Sequence, residues 1–317
     1  MRVAFKLASD CLPKYRSKFS RKDFTLPQLF ACLVLREHQK QTYRGTEALL
    51  RDSKRWCREI GMKKAPDHNT LWRAFGALNL GRRCRKLLDL VAQWFALAKQ
   101  LGDTVALDST YYDTHHRSRH YERRCRHYAS QKSQNSPNTR RSRSAKQTPK
   151  LAAACDPRTH LILALRTCIG MGSDAPDFDP LLVEAWGRMP GKRLKTVLAD
   201  AGYDSEDNHR TARQDIGIRS LIKPGAGRPS RKPAKGKYRR RMQRELSGSQ
   251  AGKPYGQRAQ VETVMSMLKR NLGDALRART PKARRHEMIL KAITHNVMIR
   301  RFQRVETEPV ISPLGVL

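Results

Sequence analysis

Apolar positions recur every three or four residues through the first hundred residues, and afterwards fall in short alternating or unbroken runs. The chain therefore reads as a helical part followed by a strand-rich part. LPQLFACLVLREH has one apolar face, and TEALLRDSKRWCREIG predicts a single helix closing at Gly61. HNTLWRAFGALN, after Pro66-Asp67-His68, predicts a third helix with an Asn69-Thr70 start signal. From residue 104 the β-branched run DTVALDST predicts a strand with Asp108 at or near its C-terminal end. KLAAACDP and THLILALRTC predict a hairpin about Asp156-Pro157-Arg158. GSDAPDFDPLLVEAW turns into a helix, KTVLADAGYDS predicts a strand ending at Asp200, EDNHRTARQDIG a helix and IRSLIKP a last strand.

Three strands, a helix, a strand, a helix, a strand and then helices is the layout of a ribonuclease-H-like α/β domain. The expected organisation is an all-α, helix-turn-helix-like domain for DNA binding or dimerisation over residues 1–100, and a catalytic α/β domain over 101–305. A tail follows over 306–317, and the catalytic part carries basic inserts at 115–150 and 223–250. Three short helices with basic faces suit helix-turn-helix-like binding, with a plain dimerisation bundle as the alternative.

The run YGQRAQVETVMSMLK carries a polar stripe beside an apolar one. On a single helix, Tyr255, Arg258, Glu262 and Lys269 fall within roughly 60° of one another. Val261, Val264, Met265, Leu268 and Leu272 make the neighbouring apolar face. The stripe is either a solvated flank or a set of charges gathered at the edge of a core-facing helix to bind something charged.

Charge narrows the partner. Lys and Arg number 65 against 28 Asp and Glu, giving a formal net charge of +37, so a polyanion, by default nucleic acid, is expected. Residues 115 to 150 hold one acid, Glu122, and residues 223 to 244 hold none, which marks both as arms on phosphate backbones. The seven cysteines are scattered and lack any CxxC, which argues for reduced thiols and a cytoplasmic protein. No run approaches a membrane span in length, so no membrane role is expected.

In a chain this poor in acids, Asp108 and Asp200 at the ends of adjacent strands, with Glu262 on the helix beside them, form a candidate metal site. Three carboxylates suit hard cations, and a pair of Mg²⁺ ions about 4 Å apart can stabilise the attacking and leaving oxygens of phosphodiester cleavage. Arg258 and Lys269 would then bind the phosphate backbone, and Tyr255 would position a phosphate or stack on a displaced base. Asp174, Asp177 and Asp179 are expected to cap a helix, with a role near the metals as the alternative. His115, His116, His120, Cys125 and His127 match no familiar zinc spacing and are expected to contact phosphate.

The spacing Tyr255, Arg258, Glu262, Lys269 resembles the C-terminal signature of DDE transposases of bacterial and archaeal insertion sequences, of the insertion-sequence-four and -five type. ALDST around Asp108 and DAGYDS around Asp200 resemble the first and second aspartate motifs of that family. The resemblance implies an enzyme that binds the terminal inverted repeats of its own element, then cuts double-stranded DNA and joins the freed 3′ ends to a target. It further implies two Mg²⁺ ions, with Mn²⁺ as a substitute, a homodimer, and association with the nucleoid. Catalytic inactivity with retained DNA binding is the alternative. The short interval between Asp200 and Glu262 leaves little room for the large β-domain that some relatives insert there.

Overall fold

The computed structural model describes residues 1–78, 80–115, 148–189, 194–225, 236–247 and 252–302. Six helices come first: α1 (Arg2–Cys11), α2 (Leu26–His38), α3 (Tyr43–Asp52), α4 (Lys54–Arg58), α5 (His68–Ala77) and α6 (Leu80–Leu97). α2 matches its predicted run, and it opens on a capping box between Thr25 and Gln28. The expected helix ending at Gly61 is instead broken at Ser53 into α3 and α4, and Gly61 adopts φ +67° where the chain turns away. α5 is capped by Asp67, not by the Asn-Thr pair: its carboxylate accepts from the Thr70 N–H at 2.8 Å and the Thr70 hydroxyl at 2.9 Å.

The sheet begins with β1 (Thr104–Tyr111), followed by the short β2 (Asp113–Thr114), β3 (Pro149–Cys155) and β4 (Ile162–Ile169). After α7 (Phe178–Arg188) come β5 (Thr196–Ala199), α8 (Glu206–Arg210) and β6 (Arg219–Ile222). The main sheet has five strands in the order β4-β3-β1-β5-β6. β1, β3 and β4 run antiparallel, and β5 and β6 add in parallel on the other side of β1. The predicted hairpin is present, and its turn is held by buried Asp156, which accepts from the Arg158 N–H (3.0 Å), the Thr159 hydroxyl (2.9 Å) and the Gly102 N–H (3.1 Å).

The remaining elements are α9 (Lys237–Ser247), α10 (Gly252–Gly256), α11 (Ala259–Leu272), β7 (Ala275–Leu276), which pairs with β2, and α12 (Pro281–Phe302). Strand side chains alternate between two faces. Val105, Leu107, Ala152, Ala154, Val197 and Ala199 enter a core shared with α1 to α7. Ala106, Leu151, Ala153 and Leu198 enter a second core built by α11 with Met242, Met288 and Ala292. The first core runs from Ala4 to Ile299, so the early helices and the sheet share one apolar interior.

α12 is buried on nearly every side and carries polar groups inward that need partners. Asn296 accepts from the Ile162 N–H (2.9 Å) and donates to the Ile162 carbonyl (2.8 Å), while His295 meets the His160 carbonyl at 2.9 Å. Buried Lys291 donates to the carbonyls of Leu272 and Gly273 at the end of α11 and lies 3.7 Å from buried Glu37 of α2.

Candidate active site

Leu107 of β1 is level with Ala199 of β5, so the next residues, Asp108 and Asp200, are level across neighbouring parallel strands, which lie about 4.8 Å apart. Alternation puts Asp108 on the face of Ala106 and Asp200 on the face of Leu198, the face covered by α11. Asp200 ends its strand as expected. Asp108 does not: β1 continues to Tyr111, paired there with β3 alone. Asp108 therefore occupies the point where the parallel half of the sheet stops and the antiparallel half goes on.

Glu262 lies in the first turn of α11, whose apolar side packs on β1 through Val261, Val264, Met265 and Leu268. The expected stripe on one helix is broken. Tyr255 sits on α10, a turn intervenes, and Arg258 is the residue just before α11. Gly256, with the helix propensity of glycine, stands at the break. Tyr255 is nonetheless tied to the site, because its hydroxyl donates to the carbonyl of Ala199, next to Asp200, at 3.3 Å. Arg258 forms an ion pair with Glu262, whose side chain is 55% exposed. Lys269, partly buried, stands two turns further along α11.

The charges show a deficit of cations. Burial pushes the Asp108 carboxyl up to about 6; Asp200 and Glu262 push the same way, against the Ser109 N–H, which donates to it at 2.8 Å, and Arg258. Burial also raises Asp200, with Asp174 and Glu262 adding to it, against the Gly202 N–H (3.0 Å) and Arg258. Three carboxylates without a thiol or imidazole are, by donor type, a set for a hard divalent cation. Among the described residues no three acids, histidines or cysteines are close enough together to enclose an ion, and Glu262 is turned to Arg258.

A second acid cluster abuts this one from the opposite face of the sheet. Asp174 and Asp177 make no side-chain capping bond, contrary to the expected role. They instead bind Lys150 of β3, which is 1% exposed and lies 2.6 Å from Asp174 and 3.0 Å from Asp177. Burial alone would push the Lys150 ammonium down; the bonds to the two acids outweigh it and hold it above its ordinary value. Arg166 adds a contact to Asp177 at 3.3 Å, and the Ser109 hydroxyl donates to Asp174 at 2.7 Å. Ser109 follows Asp108, so adjacent residues of β1 serve the two faces.

Gly202 lies between the clusters. A Cβ there would stand 2.9 Å from a carboxylate oxygen of Asp174 and 3.1 Å from one of Asp200, so the glycine lets both carboxylates approach the backbone without displacement. Lys150 and Ser109 escaped sequence reasoning, whereas Asp174 was singled out there, first as a cap; a lysine inside a run of small apolar residues was the available signal.

In the second basic block, one arginine of α9 is taken up by an internal acid, while Lys237, Arg240, Arg241 and Arg244 of the same helix stay exposed. Arg239 makes three bonds to the buried Asp204 carboxylate at 2.7–3.0 Å and helps hold it well below the usual range. Of the histidine and cysteine cluster, only His115 lies within the described residues; His116, His120, Cys125 and His127 lie outside them, as do most of the 115–150 block and the 306–317 tail.

Residues 99–297 match the family model described as Transposase DDE domain. Among curated proteins, none matches the chain. The chain is similar to the piggyBac transposase in its synaptic complex with hairpin DNA, at 12% identity and a TM-score of 0.45, covering 94% of this chain and 70% of that one. It is also similar to the Mos1 strand transfer complex, at 9% identity and a TM-score of 0.25, covering 82% and 80%.

Proposed function

Because the chain belongs to the transposase DDE domain family, we propose that it is the transposase of an insertion sequence of the four or five type. It binds the terminal inverted repeats of its own element and carries out metal-dependent cleavage and strand transfer of double-stranded DNA. The observation that carries this reading is the level placement of Asp108 and Asp200 on one face of the sheet, opposite the helix that bears Glu262. The strand order, three antiparallel strands extended by two parallel ones, supports a ribonuclease-H-like catalytic body over 101–305. Residues 1–100 are proposed to bind DNA in helix-turn-helix-like fashion or to dimerise, and the working form is a homodimer. No described helix is long and apolar enough to cross a membrane, and the proposed location is the cytoplasm, at the nucleoid.

Asp108, Asp200 and Glu262 would hold two Mg²⁺ ions, with Mn²⁺ as a substitute. When bound, such ions stabilise the attacking and leaving oxygens of phosphodiester displacement. The chain's own residues prepare that chemistry. Burial among other carboxylates leaves Asp108 short of positive charge and ready to accept it. Arg258 neutralises Glu262 in the protein alone, and the same guanidinium suits a phosphate once Glu262 turns inward. Lys269 offers a second cation to the strand along α11. Tyr255, anchored on Ala199, keeps the start of α11 against the end of β5.

The test is cleavage of the element's ends in Mg²⁺ by the wild type and by Glu262→Gln. Cuts at the element boundary by the wild type alone support the reading, and cleavage retained by the variant removes Glu262 from the site. The closed Arg258–Glu262 pair also favours a second reading, a catalytically inactive DNA-binding protein. Specific binding of the ends with no product in Mg²⁺ or Mn²⁺ would establish that one instead.

A further inference from the structure

A groove of about 1260 Å³ runs between α3 and α5 on one side and the start of α12 on the other. Its floor is aromatic: Tyr43 packs edge-on to Phe75 with centroids 6.4 Å apart, and Phe75 meets the His286 ring at 6.0 Å. Trp72, on the wall, is 62% exposed. The rim is cationic, with exposed Arg16, Arg73, Arg279 and Lys282. The one acid of the lining, Glu287, is buried and already accepts from the N–H groups of Arg277 (3.0 Å) and Ala278 (2.8 Å). The surface therefore offers positive charge and flat apolar faces with no exposed carboxylate to compete.

That combination separates two forms of DNA. Duplex DNA presents phosphates but keeps its base faces stacked, so an exposed indole gains little from it. Unpaired nucleotides present both, and stack on aromatic side chains while their phosphates meet arginine and lysine. The groove also adjoins a cavity at the C-terminal end of α11, the helix that bears Glu262. This second cavity of about 560 Å³ shares Arg36, His115, Arg277 and Glu287 with the first and is lined by Lys269, two turns from Glu262 on α11.

We propose that this groove binds unpaired nucleotides of a DNA strand, with phosphates on the Arg73, Arg279 and Lys282 rim and a base on Trp72, along a path that continues past Lys269 toward Glu262. The inference rests on the reading that DNA is the substrate, and apart from Lys269 it places the strand on residues outside the candidate active site.

The test is fluorescence anisotropy without divalent ions, using a blunt duplex and the same duplex with a single-stranded tail of about five nucleotides. The wild type is expected to bind the tailed DNA roughly tenfold more tightly than the blunt one. Trp72→Ala should erase that difference and leave blunt affinity unchanged, while Trp72→Phe keeps most of it. Arg279→Ala with Lys282→Ala should weaken tailed binding and flatten its salt dependence. Because Trp72 is exposed, an unchanged melting temperature in the alanine variant will show that the fold is intact. Equal affinity of the wild type for the two DNAs, or a preference retained by Trp72→Ala, overturns the groove and leaves the cleavage reading standing. Failure to bind either DNA overturns both, and absence of cleavage with an intact tail preference strikes only the enzyme.

Discussion

The two faces of the sheet treat their carboxylates in opposite ways. On the α7 face, Asp174 and Asp177 are met by a fully buried lysine, by Arg166 and by the Ser109 hydroxyl. On the α11 face, Asp108 and Asp200 are met by backbone N–H groups and one another, with Arg258 committed to Glu262. The first set is balanced, two carboxylates against Lys150 and Arg166, as a structural ion cluster should be. The second is left with a surplus of negative charge, as a binding site for cations should be. Two acid clusters in contact are thus told apart by what neutralises them.

Removing Asp108 should widen this contrast most. Asp108→Asn is expected to lower cleavage of element ends by on the order of 10²-fold or more, with DNA affinity within about twofold of the wild type, read by a gel cleavage assay beside anisotropy. An equal loss in both would mean that Asp108 supports the fold or the DNA surface. Next in size, Lys150→Met should destabilise the protein by about 3 kcal/mol, because it strips two carboxylates of a buried partner. Adding Asp174→Asn and Asp177→Asn should recover much of that in denaturant melts, and a mild effect of Lys150→Met alone would show the cluster to be dispensable.

Asp108→Asn should also stabilise the fold. The folded state holds the Asp108 proton up to about pH 6, against 3.8 for the ordinary carboxyl, so ionised Asp108 opposes folding fully above pH 6 and not at all below 3.8. The expected gain is about 1–2 kcal/mol at pH 8 in EDTA, discounted for partial exposure, and it should fade as pH falls through 6 toward 4. A gain that grows on acidification would contradict this assignment. The smallest effect is expected at Gly202→Ala, which must move Asp174 or Asp200 by a few tenths of an ångström. It should cost about 1 kcal/mol in stability and roughly tenfold in cleavage; unchanged cleavage would separate Asp174 from the site.

The five strands of the main sheet were legible because they alternate or run unbroken, but the two-residue β2 and β7 are too short to show a pattern. α2 was legible from its apolar run, although it is buried on nearly every side and not on one face as expected. The stripe from Tyr255 to Lys269 was legible as chemistry but not as geometry, since periodicity does not register a turn at Gly256. α12 lacks a polar face, so its 22 residues carry no amphipathic signal. Asp174 looked like a cap because acids before a helix usually are. Its true partner, Lys150, comes from a strand more than twenty residues earlier, and sequence spacing carries no trace of that contact.

The bonds from Asn296 to Ile162 have a consequence for synthesis on the ribosome. β4 lies at the margin of the sheet, where free backbone groups invite pairing with other chains. All five strands emerge before Pro281, yet the side chain that occupies both main-chain groups of Ile162 belongs to the last described helix. A growing chain therefore carries an open sheet margin until α12 is made, and a message truncated before it would yield a product prone to aggregate rather than one that acts on DNA.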